Sequence, residues 1–121
     1  MATICFYQDT RHEKSLYWIK NILNIGYISR RNDGMTELRI NGYSQTKNIL
    51  KAMKPFVKFK KLQCTALIRA CKVLSETKYK NLVKKQLLDI VDCILVIQNE
   101  NYVAKNKKTK EDLLTILGLT P

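Results

Sequence analysis

The run "YISRRNDGMTELRIN", residues 27–41, constrains the fold more than any other stretch. Asn32, Asp33 and Gly34 tolerate the positive φ values of a tight turn, so the run predicts a hairpin with strands over "YISRR" and "MTELRIN". Side chains alternate across a strand, which turns Leu38 and Ile40 inward and Glu37, Arg39 and Asn41 outward. Ser29 and Arg31 join the outward face from the neighbouring strand, and Arg30 adds a third guanidinium to the hairpin. "ATICFYQ" also has strand composition, with Ile4 and Phe6 on one face and Cys5 and Tyr7 on the other. Such a sheet offers arginine forks, an amide and an aromatic ring. Arginine can bind a guanine edge or grip phosphate, and asparagine can read adenine, so the ribbon fits a major groove or a structured RNA. A solvated antiparallel face accounts for the same residues with no ligand.

Helical spacing governs most of the remainder. Leu16, Ile19, Ile22 and Leu23 predict a helix over residues 10–24, with Trp18 beside Ile22 and a break at Gly26. "SQTKNILKAMK" predicts another, ended by Pro55. Beyond it "KKLQCTALIRACKVL" carries Cys64, Leu67, Cys71 and Leu74, and "NLVKKQLLDIVDCILVIQN" carries Val83, Leu87, Ile90, Val91, Ile94 and Ile97, all at core-facing intervals. "AKNKKTK" reads as a linker or solvated arm. In "TKEDLLTILG", Thr109 is placed to cap a helix with Asp112 three residues on, and Gly118 to stop it.

Charge selects among partners. The chain has 121 residues, 45% of them hydrophobic, and 22 Lys and Arg against ten Asp and Glu give a formal net charge of +12. That length closes one core, and that charge favours nucleic acid over a generic basic surface. The longest apolar runs fall short of the roughly 18 residues needed to span a bilayer, and no signal peptide opens the chain, so a soluble protein is expected. Cys5, Cys64, Cys71 and Cys93 form no C-x-x-C pair, and His12 is the single histidine. They make no zinc set, and no metal site is expected; Cys64 and Cys71, seven apart on one helix, read as reduced core residues in a reducing compartment.

The order of elements resembles the LAGLIDADG homing endonucleases, in particular the intron-encoded, single-motif type that works as a homodimer. "YQDTR" after a strand, "IGYISRR" opening the hairpin, "KPFVKFKKLQ" entering a long helix, and the ending "VDCILVIQNENYVAKNKKTKEDLLTIL" carry the likeness over nearly the whole chain. The implied fold is α+β: a truncated LAGLIDADG-like domain, an antiparallel sheet saddle with packed helices and a helical C-terminal half. One domain is expected over 1–121, its strand, helix and hairpin part over 1–55 and its helical part over 56–121, with a basic linker at 103–110. In that family the saddle lies along the DNA major groove. The resemblance therefore implies nucleic-acid-facing positions for Cys5, Tyr7, Ser29, Arg31, Glu37, Arg39 and Asn41, and Arg30, Lys58, Lys60, Lys61, Lys105, Lys107 and Lys108 are expected to contribute. It further matches Gln8 to a glutamine near the cleavage centre, Lys60 to a basic residue near the scissile phosphate, and Arg11 or His12 to a further arginine.

The helix that names the family ends in an acid that holds the divalent metal. By the resemblance this chain starts at the family's second strand, so that helix, the first strand and the acid are expected to be missing. Phosphodiester hydrolysis here uses Mg²⁺, which needs carboxylate ligands. "LLDIVD" does not replace the motif, because Asp89 and Asp92 lie on the polar edge of a continuing helix; no nucleophile triad or phosphate-binding glycine loop is present. Two readings follow. The chain is a retired nuclease, inactive alone, that binds structured RNA, an organellar ribosomal RNA or an intron, within a larger complex. Alternatively it is the C-terminal subunit of a split endonuclease that cleaves duplex DNA with Mg²⁺ once a partner supplies the acidic helix. Either reading expects a protein partner over the bared apolar surface and sheet edge, no membrane, and an organellar setting, a mitochondrion by association.

Overall fold

In the computed structural model, which describes residues 1–101 and 107–119, three strands and five α-helices follow one another as an α+β chain. Two compact units divide it, Met1–Thr46 and Lys47–Pro121. The division falls before Pro55, inside a helix, where the sequence had placed a boundary after it.

The first unit is a sheet backed by a helix. β1 (Thr3–Asp9), β2 (Tyr27–Arg30) and β3 (Met35–Asn41) are antiparallel in the order β1-β3-β2, so the hairpin's second strand is central. Cys5 and Tyr27 flank Arg39, Phe6 and Ile28 flank Leu38, and Tyr7 and Ser29 flank Glu37. This register puts the apolar set on one face, where Leu38 and Ile40 are fully buried along with Leu16 of α1 (Lys14–Leu23). The helix is shorter than residues 10–24. Asp9 caps a separate 3₁₀ turn over Thr10–His12, and Asn24 ends α1 in the left-handed conformation that asparagine tolerates. Trp18 and Ile22, the expected second stripe, stay exposed. Gly26 holds φ +96 at the entry to β2, and a Cβ there would lie 2.8 Å from the Arg39 carbonyl oxygen and 2.9 Å from Leu38 Cδ1. Only glycine fits so close to the central strand.

α2 (Tyr43–Met53) follows, and a 3₁₀ turn over Lys54–Phe56 absorbs Pro55. The second unit is helical, with α3 (Lys61–Glu76), α4 (Lys84–Glu100) and α5 (Lys110–Ile116). Ala66 and Ala70 of α3 pack on Cys93 of α4, with Ile97 beside them; small side chains let the two helices approach. Cys64 and Cys71 are buried as expected. Burial pushes the Cys71 and Cys93 thiols up from their ordinary value, keeping them protonated. Arg69 on α3 reaches Asp89 on α4 at 2.7 Å. Val83 was expected in this core but is 59% exposed, because α4 starts one residue later and Val83 is its extended N-cap. Gln98 brackets Lys108 with two hydrogen bonds of 2.9 and 3.0 Å. Thr109 and Asp112 close a reciprocal capping box on α5, and Gly118 takes φ +68 past its end. Within the expected basic linker, residues 103–106 lie outside the described residues, and 107–109 lead into α5. No described helix is long and apolar enough to cross a membrane.

Candidate nucleic-acid interface

The polar face of the sheet gathers Thr3, Cys5, Tyr7, Tyr27, Ser29, Glu37, Arg39 and Asn41 from all three strands. Tyr7 and Tyr27 are 65% and 48% exposed, so the face presents rings as well as charge. Arg31 joins them just past β2, its N–H donating to the Met35 carbonyl at 2.7 Å. Glu37 is on this face but lies beneath it, 8% exposed. Its carboxylate accepts from Arg31 Nη1 at 3.0 Å and from Arg39 Nε at 2.9 Å, so one buried acid holds two guanidinium groups. Asp33, in the turn, takes Arg31 Nη2 at 2.7 Å. Glu37 raises the affinity of Arg39 for its proton, with Tyr27 second, and Glu37 and Asp33 do the same for Arg31. Asn41 accepts the Thr3 hydroxyl at 2.8 Å, which occupies its carbonyl oxygen.

Arg30 does not share this face. It pairs in register with Thr36 and turns toward α1, where Glu13 accepts from its Nε at 3.0 Å and from its Nη2, and the Thr36 hydroxyl donates to the same acid at 2.8 Å. These bonds hold the Glu13 carboxyl below the usual range. Adjacent residues of a strand point to opposite sides, so Arg30 and Arg31 cannot both line one surface.

Gln8 also stands in register with Thr36, at the exposed end of β1, where its Oε1 accepts the Asp9 N–H at 2.9 Å. Arg11 grips Asp9 through Nε and Nη2 at 3.0 and 2.9 Å, and with the Arg11 backbone N–H it holds the Asp9 carboxyl down to about 2. His12 is exposed in the same turn. Lys60 belongs to the second unit, where it precedes α3 with φ 59. Lys58, Lys61, Lys107 and Lys108 are exposed there, as are the rings of Phe56 and Phe59; Lys105 lies outside the described residues.

Among the described residues, no three His, Cys, Asp or Glu side chains are grouped to hold a metal ion. Asp9, Glu13, Asp33 and Glu37 are each bound to arginine, so the carboxylates of the first unit do not fit Mg²⁺. Tyr27 was readable from the sequence, since it has the same strand parity as Ser29. Asp33 carried no such signal, because its role depends on where the turn points.

No family model matches the sequence. The architecture nonetheless matches the homing endonuclease fold, as the resemblance implied. The DNA endonuclease I-CvuI of Chlorella vulgaris is 29% identical over 77 residues, 64% of this chain and 48% of that protein. The chain thus spans about half the length of this curated relative. A crystal structure of I-CvuI with an I-CreI target and Mg, its DNA not cleaved, superposes with a TM-score of 0.68 at 24% identity, covering 96% of this chain and 73% of that one. Another, with its own target and Ca, gives 0.70 at 22% identity over 98% and 75%. The homing endonuclease I-TnaI gives 0.69 at 19% identity over 95% and 75%.

Proposed function

We propose that these residues form a nucleic-acid-binding module of homing-endonuclease descent, which binds without hydrolysing unless acidic metal ligands come from outside them. The exposed polar sheet face, with Arg39 between Cys5 and Tyr27 on the central strand, carries this reading. Structured RNA within a larger, organellar assembly is the ligand we favour, because the lysines are spread over the helical unit as well as the sheet unit. The DNA targets bound by I-CvuI support a second reading, in which a protein partner supplies the acidic helix and the pair cleaves duplex DNA with Mg²⁺.

Fluorescence anisotropy on labelled duplex DNA and folded RNA, over a salt series with Mg²⁺ present, tests this. We expect binding that falls steeply with salt as phosphate counterions are released, and intact nucleic acid after incubation. Salt-insensitive binding, or none, would refute the nucleic-acid reading; cleavage by the chain alone would refute the binding-only part.

A further inference from the structure

We infer that Arg39 is the guanine-reading side chain of the sheet face and that Glu37 is the residue that positions it. This rests on the nucleic-acid reading above. The three hairpin arginines are not equivalent. Arg30 is tied to Glu13 on the opposite side of the sheet. Arg31 commits Nη1 to Glu37 and Nη2 to Asp33, which occupies both ends of its fork. Arg39 commits only Nε, and that bond runs back to Glu37. Its Nη1 and Nη2 make no ion pair among the described residues, the neutral Tyr27 side chain lies close enough to raise its affinity for its proton, and its side chain is 46% exposed.

The outer edge of a guanidinium held at Nε is a pair of parallel donors with the spacing of guanine O6 and N7. Glu37 sits beneath it, 8% exposed and fixed from its other oxygen by Arg31, so the fork is anchored at its base. An arginine already held in its bound orientation loses less conformational freedom on meeting a ligand, and its choice among bases is sharper. Location favours a base over a phosphate. Arg39 stands on the central strand with side chains in register on both sides, the part of a groove-filling ribbon that meets base edges rather than the flanking backbones. Guanine shows the same edge in a DNA major groove and in an open RNA loop, so one chemistry covers both sources.

The test is affinity selection by the full chain from randomised duplex DNA and randomised RNA hairpins in parallel, followed by measured affinities. The pool that yields the site identifies the source. For the wild-type chain we expect one guanine whose replacement weakens binding by roughly 5- to 150-fold. Arg39→Lys keeps the charge and loses the fork, so the preference should vanish while the salt dependence stays. Glu37→Gln should blunt the preference in the wild-type background and change nothing further beside Arg39→Lys, the coupling expected of a positioning residue. Circular dichroism checks that each variant folds, and Arg39→Lys decides the matter if Glu37→Gln does not. Undiminished guanine preference in Arg39→Lys, or an equal loss on all sequences, overturns the inference and leaves nucleic-acid binding intact. Absence of binding by the wild-type chain to either pool overturns both.

Discussion

Replacing Leu38 by alanine measures how far the sheet's register holds the first unit together. Leu38 is fully buried, with Phe6 on one side of it in register and Ile28 on the other. The substitution removes three buried carbons, and at about 0.8 kcal/mol for each buried methylene the transfer cost is roughly 2.4 kcal/mol. Cavity formation adds to this where the surroundings cannot close, and a central strand held from both sides closes poorly. We therefore expect a loss of about 3 to 4 kcal/mol, within the range of buried leucine truncations. Equilibrium urea unfolding followed by circular dichroism gives the value, with an unchanged m-value to show that the denatured state is unaltered. Arg39→Ala, one residue away on the opposite face, serves as the control and should leave the unfolding midpoint in place. A loss below about 1 kcal/mol for Leu38→Ala, or a collapse of Arg39→Ala, would mean that β3 is slipped by one residue, since such a slip exchanges the two faces.

Gly26→Ala should destabilise by about 2 to 5 kcal/mol, combining a left-handed alanine with overpacking against β3, and a neutral result in the same assay would remove the close approach from the account. Thr46 has a fully buried hydroxyl with no hydrogen-bond partner among the described residues. Thr46→Val should thus raise stability by roughly 1 kcal/mol, whereas a fall in melting temperature would reveal an unseen hydrogen bond. For Asp9, carboxyl NMR during an acid titration should give a midpoint near 2. Because that pKa is depressed on folding, the Asp9–Arg11 link is fully present above the ordinary value of 3.8 and is lost as the pH falls toward 2. A midpoint at the ordinary value would show that Arg11 does not hold Asp9 in solution.

Strand parity made the sheet legible: the alternation in "MTELRIN" separates Leu38 and Ile40 from Glu37, Arg39 and Asn41 before any strand order is known. Helical spacing likewise places Cys64, Cys71, Ile90 and Val91 in a core. It fails at Val83, because periodicity cannot tell the last extended residue from the first helical one. The unit boundary was also hidden, since it interrupts no periodic pattern and lies within α2. Least legible were the partners of the arginines. Arg30 finds Glu13 seventeen residues earlier, across the sheet–helix junction, while Arg31 finds both Glu37 and Asp33 because the turn folds back. Residue type announces that an arginine will seek a carboxylate, but three-dimensional placement chooses which.

Those choices separate two kinds of positive charge. All five arginines, Arg11, Arg30, Arg31, Arg39 and Arg69, are ion-paired, and no described lysine is. Planar forks suit fixed bidentate partners, whereas the hydrated ammonium of lysine holds no single geometry well. Much of the acidic complement thus goes into orienting arginine, and the net charge of +12 is left largely on lysine side chains. Lysines of this kind supply affinity indifferent to sequence, each phosphate contact adding about 0.9 to the salt slope on duplex DNA. On the inference above, Arg39, fixed by an acid at Nε alone, supplies discrimination instead. Exchanging Lys58 and Lys61 for glutamine should accordingly flatten the salt dependence and weaken all sequences alike, with the guanine preference unmoved. A change in preference without a change in slope would mean that the lysines read bases, and the division between the two cations would fall.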